Sequence, residues 1–593
     1  MECGQIPSRK GSDLYLCGIT GWVKWQERPS EAARQILSKM TRTLIKRGPD
    51  DQTLWMDDHV AFGHTRLAVI DPQGGRQPMH YRENGDQWTI IYNGELYNTD
   101  ELRKALQEKG FHFQTRCDTE VLLKAYVCWG EDCLRRLNGI FAFAVWHKGS
   151  RTLFLARDRL GVKPLFYAET QGFLLFGSEL KALLAHPGLR AEVDREGLAE
   201  VLGLGPSRTP GHGLFRGIKE LRPAHALRWR PEGYHVYRYW QLESRDHKDS
   251  LDQTVETVRY LVQDAVKRQL VSDVPIGSFL SGGIDSSAIA ALAAQEHSPD
   301  KFPTFSLDYA ENERYFTQNP YQPDPDGPYI EHMVRYISSD HHTFTIKPEE
   351  LFEELYEAMI ARDQPGMADI DSSLLWLCKR IKNRATVALS GECADELFGG
   401  YPWFYREELF YADGFPWMAE VKLREEVLTE QWREKLKLSD YVRQRYRETL
   451  AEVPTLEGEG KEEKRGRELF YLNMVWFMAC LLDRKDRMSM EAGLEVRVPY
   501  ADHRLVEYLW NVPWKMKKLH GREKGLLRQA LVGILPPEIL YRKKSPYPKT
   551  FHPRYTELVK GRLLAICEDK ESPFFEVVDR KALGELARSE FAE

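Results

Sequence analysis

No stretch of this sequence is long and apolar enough to span a bilayer. Residues 141–146 and 174–176 are short pieces flanked by charge, whereas a helical span needs about 20 apolar residues. Basic charge is not in excess: 83 Lys and Arg stand against 89 Asp and Glu, a net charge of -6. That balance excludes electrostatic capture of nucleic acid as the main role. The sequence has no CxxC spacing. Its nine cysteines are scattered and odd in number, which argues against a structural zinc site or a disulfide framework and fits a reducing cytoplasm. Residues 1–16 contain no apolar core of a secretory signal. A Walker A string and internal repeats are also absent. What remains is 593 residues, 42% hydrophobic and 29% charged, the composition of a globular chain too long for one ordinary domain.

Two textures divide the chain. From residue 17 to about 230, apolar runs of strand length alternate with turn signals. Residues 89–92 precede Asn93-Gly94, and 141–146 precede His147-Lys148-Gly149-Ser150. This spacing predicts packed antiparallel sheets, with helices over 32–44 and 120–129 covering them. From about residue 250, helical periodicity dominates, as in Val258, Leu261, Val262 and Ala265. Brief apolar strands at 274–280, 304–307 and 386–389 alternate with those helices and predict a parallel sheet. Residues 234–252 read as a connector. The charged stretch 457–467 reads as a solvated loop or helix face, and the basic stretch 541–544 reads as a solvated patch, with an approach to pyrophosphate as the alternative.

The strongest chemical signal is Ser281-Gly282-Gly283-Ile284-Asp285-Ser286-Ser287, between an apolar strand and a helix former. A strand, a glycine turn and a helix N-terminus together form an anion cradle, and the serines add hydroxyl donors. The string resembles the PP-loop of ATP pyrophosphatases; the alternative is a serine-capped helix without ligand. A second loop, Ser390-Gly391-Glu392-Cys393-Ala394-Asp395-Glu396, also follows a strand pattern. Ligands of parallel sheets gather beyond the strands' carboxyl ends, so Asp285 and Asp395 can face the same phosphates. Their hard oxygens suit Mg²⁺.

Many further motifs occur in order: Cys17-Gly18-Ile19, Arg47-Gly48-Pro49-Asp50, Gly63-His64-Thr65-Arg66-Leu67, Tyr92-Asn93-Gly94-Glu95, Asp118-Thr119-Glu120, Arg157-Asp158-Arg159 and Glu495-Val496-Arg497-Val498-Pro499. With these, the chain from Cys17 to about Lys549 resembles the class B, glutamine-hydrolysing asparagine synthetases. The resemblance implies an α+β N-terminal-nucleophile glutaminase sandwich over 17–232. It implies an α/β parallel-sheet PP-loop synthetase over 233–593, and an ammonia path between the two. By the same resemblance Cys17 is the nucleophile and its own α-amine the base, while Asn93 and Gly94 are the oxyanion donors. Arg66 and Asp118 bind the α-carboxylate and α-ammonium of glutamine. Leu67, Ala68, Val69 and Ile70 line its pocket, and Glu95 helps hold its amide. Leu280 and Leu307 contact adenine, and Ser281, Gly282, Gly283, Asp285, Ser286, Ser390 and Gly391 complete the ATP site. Asp285 and Asp395 take the metal. Glu392 serves acyl-adenylate formation, and Lys524 is the catalytic lysine.

The implied reaction is glutamine-dependent, ATP-consuming amidation of a carboxylate through an acyl-AMP, with aspartate giving asparagine. Its substrates are small molecules, and the resemblance implies a homodimer. Two alternatives stand beside it: an amidotransferase or ligase for another carboxylate, such as a cell-wall precursor, peptide or antibiotic intermediate, and a non-catalytic glutamine or ATP sensor. Three features depart from the family. Residues 1–16 precede Cys17, and read as a propeptide or a mis-assigned start at position 16. The segment 363–373 is acidic where an acceptor would lie, which suits an acceptor carrying an amine. An insertion at 309–329 forms either a lid or a long loop. The C-terminus also stops early for the family, as a truncated gene would.

Overall fold

A computed structural model of the chain describes residues 17–25, 30–49, 51–67, 69–71, 74–170, 172–318, 323–418 and 421–589. The extension 1–16, Ala68, part of the 309–329 insertion and residues 590–593 lie outside them. Among the described residues no helix is long and apolar enough to cross a membrane.

Twelve strands build the first half: β1 (Gly18–Lys24), β2 (Asp51–Met56), β3 (Val60–Arg66), β4 (Met79–Glu83), β5 (Asp86–Leu96), β6 (Gly139–His147), β7 (Thr152–Arg157), β8 (Phe166–Thr170), β9 (Phe173–Gly177), β10 (Ile218–Glu220), β11 (His225–Arg230) and β12 (Gly233–Arg238). They form two six-stranded antiparallel sheets, ordered β10-β8-β9-β1-β3-β2 and β12-β11-β7-β6-β5-β4. Period-two alternation decides which side chain goes where. Ile91, Ala142, Ala144, Leu153 and Leu155 of the second sheet meet Ile19, Val23, Phe62 and Phe176 of the first in the inter-sheet core. Their neighbours Ile90, Tyr92, Phe143, Val145 and Phe154 point the other way, onto the helix Asp118–Trp129. The helix Glu31–Arg42 covers the first sheet through Leu37 and Met40. The result is the expected sandwich in four layers, helix-sheet-sheet-helix.

One local expectation fails. Asn93-Gly94 is not a turn: β5 runs straight through it, pairing Asn93 with Ala142 and Gly94 with Phe141 on β6. Apolar residues on both sides of the pair, buried against two different layers, outweigh the local turn preference. The real turn of that region joins β6 to β7 at residues 148–151, where the sequence also signals one.

The second half carries β13 (Ile276–Phe279), β14 (Pro303–Tyr309), β15 (Asp340–Ile346), β16 (Val387–Leu389) and β17 (Glu495–Arg497). All pair in parallel, in the order β15-β14-β13-β16-β17. The chain leaves β13 toward β14 and β15 on one side, and returns to place β16 and β17 on the other. The strand order therefore reverses between β13 and β16, the place where parallel sheets open a ligand crevice at their carboxyl ends. Because β12 completes the second antiparallel sheet, a cut at residue 232 would split its hairpin with β11. We place the division in residues 239–250, before the helix Leu251–Gln269 and its Ser250–Gln253 capping box.

The 457–467 stretch is not simply a solvated surface. It enters the helix Lys461–Leu472, where Arg465 is buried and donates to the carbonyls of Phe410 and Ala412, each at 2.7 Å.

Candidate active site

Cys17 immediately precedes β1, a central strand of its sheet, so the thiol has nearly no route to solvent. Its Sγ lies 3.7 Å from the Leu67 carbonyl. Burial pushes the thiol up to about 12, against the opposing pull of that hydrogen bond and of the Arg66 charge. A thiol so placed is protonated at neutral pH and needs a base before it can attack. Asn93 is wholly buried, and neither its Nδ2 nor its Oδ1 has a hydrogen-bond partner among the described residues. A buried amide left unmade costs roughly 1–3 kcal/mol, so this one is poised for a ligand. At Gly94, with φ 156°, a Cβ would stand 2.1 Å from the Ile140 carbonyl oxygen; only glycine keeps the strand pair closed there. Asp118, at the start of its helix, accepts from the Tyr92 hydroxyl at 3.0 Å and the Leu96 N–H at 3.1 Å. Burial nevertheless raises it to about 6. Burial also raises Glu95, whose Oε2 lies 3.3 Å from Arg497 of the second half while its Oε1 has no partner among the described residues. Arg66 donates to the Asp71 carbonyl at 3.1 Å. Val69 and Ile70 do something the sequence did not suggest: they pack on Val274, Ile276, Val387 and Met490, joining the two halves.

The second centre is a cavity of about 710 Å³ in the crevice between β13 and β16. Leu280, Ser281, Gly283, Asp285 and Ser286 line it from the first loop, Ser390, Gly391, Glu392 and Asp395 from the second, and Leu307 from β14. Gly282 stands behind that wall: φ is 68°, and a Cβ would meet Tyr329 Cβ at 2.7 Å. Gly391 is required by close approach, since a Cβ there would sit 2.8 Å from Ser286 N. The two loops thus touch backbone to backbone. Gly283 caps the helix Ile284–His297 without a side-chain cap, leaving N–H groups of its first turn open to an anion.

One charge cluster in the cavity joins two carboxylates to two lysines. Lys524 Nζ lies 2.6 Å from Asp285 and 2.7 Å from Asp395, and Lys544 Nζ lies 2.6 Å from Asp395. Although burial opposes it, Lys524 and Lys544 hold Asp395 well below the usual carboxylate range, while burial pushes Asp285 up. Asp285 Oδ1 is buried and without a hydrogen-bond partner among the described residues. Two carboxylates completed by substrate phosphates form a donor set that fits Mg²⁺. Glu392 stands apart, 3.1 Å from both Arg484 and Lys485, which keep it ionised despite burial.

The structure corrects the reading of 541–544 as solvated surface. Arg542 is buried, donates to the Ser281 carbonyl at 3.2 Å and pairs with Asp326 at 2.5 Å; Lys544 reaches Asp395. Both line the cavity. The acidic segment 363–373 is corrected as well. Asp363 pairs with Lys181 and Arg487, and Asp371 with Arg362, so neither faces the cavity; Met367 and Ile370 do. The end of the 309–329 insertion packs on the first loop through Tyr329, and Asp326 joins the cavity wall.

A buried thiol and an open buried amide on one antiparallel sandwich, and a glycine-lined phosphate cradle on a parallel sheet, define a two-centre, nucleotide-dependent amidotransferase. The asparagine synthase family model matches residues 257–593, and the glutamine amidotransferase domain model matches residues 16–240. The chain belongs to the asparagine synthase family. It is 57% identical to the glutamine-hydrolyzing asparagine synthetase 3 of Bacillus subtilis (strain 168), over 97% of this chain and 94% of that protein. Identity to asparagine synthetase 1 of the same organism is 31%, over 90% and 87% of the two chains. Identity to the asparagine synthetase of Cricetulus griseus is 29%, over 90% and 84%.

Proposed function

We propose that this chain hydrolyses glutamine at Cys17 and uses the ammonia to amidate an acyl-adenylate made from ATP and aspartate, releasing asparagine, AMP and pyrophosphate. The observation that carries it is the pairing of both centres in one chain: the buried thiol and the open Asn93 amide of the sandwich, and the Asp285–Lys524–Asp395 cluster in the crevice. A free α-amine at Cys17 would take the thiol proton as the sulfur attacks the glutamine amide carbon, and Asn93 Nδ2 with the Gly94 N–H receives the oxyanion. The C–N bond then breaks to release ammonia with that proton, and water hydrolyses the glutamyl thioester to glutamate. Arg66 and Asp118 hold the two charged α-groups. In the crevice the open helix turn after Gly283 holds phosphate, and Lys524 and Lys544 offset charge on the reacting phosphates. Asp285 and Asp395 would hold Mg²⁺, which would supply charge neutralisation to the departing pyrophosphate. Glu392, clamped by Arg484 and Lys485, orients the acceptor's end of the cavity. The eight cysteines among the described residues are free thiols, in keeping with a cytoplasmic enzyme.

Cys17→Ala tests the division of labour. Glutamine-dependent pyrophosphate release should fall at least about 10³-fold, while release driven by ammonium chloride stays near the parent rate. An equal loss with both nitrogen sources, in folded protein, would sink the assignment. A second acceptor is favoured by one observation: besides its charged groups, the cavity is lined by Met367, Ile370, Leu374 and Leu377, all apolar. Pyrophosphate release across a panel of carboxylates, with the product identified by mass, separates the two readings.

A further inference from the structure

The helix Ala479–Glu491 carries five consecutive charged residues, 483–487, and all five are buried. Successive side chains on a helix point about 100° apart, so such a run serves different neighbours at once. Arg484 and Lys485 turn toward the nucleotide cavity and clamp Glu392. Asp486, the next residue, turns toward the first half. Its Oδ2 lies 2.8 Å from Arg47 Nη1, and its Oδ1 lies 3.3 Å from Arg47 Nη2 and 3.2 Å from Lys163 Nζ. Arg47 in turn donates from Nε to the carbonyl oxygen of Cys17 at 3.4 Å and from Nη1 to Glu179 at 2.9 Å. One guanidinium therefore separates the Asp486 carboxylate from the peptide that bears the thiol. A fork-to-fork guanidinium–carboxylate pair is planar and directional, so it fixes orientation as well as charge.

We propose that Asp486 is a positioning residue for Cys17, acting through Arg47, and that this helix couples the occupancy of the nucleotide cavity to the glutaminase. The inference rests on Cys17 being the nucleophile. Adenylation of the acceptor changes the charge facing Glu392, and with it the load on Arg484 and Lys485. Asp486 shares their helical turn, so any shift there is passed to Arg47 and to the nucleophile's peptide. Asp486 touches neither glutamine's own ligands nor the phosphate cradle, which makes the two effects separable.

The test compares the parent with Asp486→Asn, an isosteric change, and Arg47→Lys, which keeps the charge but loses the fork. Each is assayed for glutamine hydrolysis with and without saturating ATP and aspartate, and for synthesis from ammonium chloride, which reports that the protein is folded. In both variants the glutaminase kcat should fall roughly tenfold, with KM for glutamine and ammonium-driven synthesis within about twofold of the parent. ATP with aspartate should raise the parent's glutaminase rate, and this rise should vanish in both variants. The proposal is overturned by a parent whose glutaminase ignores ATP and aspartate, by variants that keep the rise, by a loss confined to KM, or by an equal fall with both nitrogen sources. Retained glutamine hydrolysis in Cys17→Ala would instead overturn the nucleophile itself, in an assay that involves neither Asp486 nor Arg47.

Discussion

Asp118 occupies a place where a carboxylate is hard to ionise: burial raises it to about 6 even though Tyr92 and Leu96 donate to it. Its proposed partner, the α-ammonium of glutamine, binds only the ionised form. As pH falls through about 6 the neutral carboxyl takes over, so kcat/KM for glutamine should decline toward tenfold per pH unit below that point. Ammonium-driven synthesis should lack this limb once the ammonia concentration is corrected for pH. Asp118→Asn should lower kcat/KM by roughly tenfold or more, the worth of about 1.5–3 kcal/mol for a hydrogen bond to a charged group, and flatten the profile. A profile unchanged in the variant would remove Asp118 from glutamine binding. At this scale the candidate site was legible only through the family resemblance, because a lone cysteine, an Asn-Gly pair or a single carboxylate is most often structural. Lys544 and Arg542 were not legible even then. In sequence they are two of three adjacent cations, and only the crevice opposite them shows that they face inward.

The segment 541–550 behaves as a strap across the mouth of the crevice. Arg542 ties it to the Ser281 carbonyl and to Asp326, Lys544 ties it to Asp395, and the Tyr309 hydroxyl donates to the Pro548 carbonyl at 2.9 Å. It thereby brings a second cation to a carboxylate that Lys524 already neutralises. Lys544→Ala should cut acceptor-dependent exchange of pyrophosphate into ATP by about 10²–10³-fold, as the loss of one preorganised charge in a reacting site does, and leave basal glutamine hydrolysis alone. Parental exchange in that variant would show the contact to be structural only. Elements were legible where periodicity ran long, as in the helix Leu251–Gln269. They failed at Asn93-Gly94, where a turn dipeptide lies within a strand because layers on both faces claim its neighbours.

Across the whole molecule, the two halves meet through buried charge as well as apolar packing. Arg487 is wholly buried, 3.3 Å from Glu179 and from Asp363 and 3.5 Å from Asp483. Breaking one member of such a network leaves uncompensated carboxylates in a medium of low polarity. Arg487→Met should therefore destabilise the chain by about 3–5 kcal/mol, read as a lower urea midpoint, and glutamine- and ammonium-driven synthesis should decline together. A midpoint unchanged from the parent would show that the seam does not depend on this network. Nothing in the string Asp483-Arg484-Lys485-Asp486-Arg487 distinguishes a buried hub from a solvated helix face, since burial of charge depends on partners supplied by distant segments.

By itself the sequence determined the order of its motifs, the alternation that builds a sandwich before a parallel sheet, and the residue types available for thiol attack and nucleotide activation. These are local properties, written in spacing and side-chain type. Only the tertiary structure decided which charges face a ligand and which face each other. It turned Asp363 and Asp371 away from the cavity, brought Lys544 into it, and set Asp486 against the Arg47 guanidinium that donates to the Cys17 carbonyl. The physical reason is that a buried charge is defined by its partner, and most of those partners, Arg362 of Asp371 excepted, lie more than a hundred residues away along the chain.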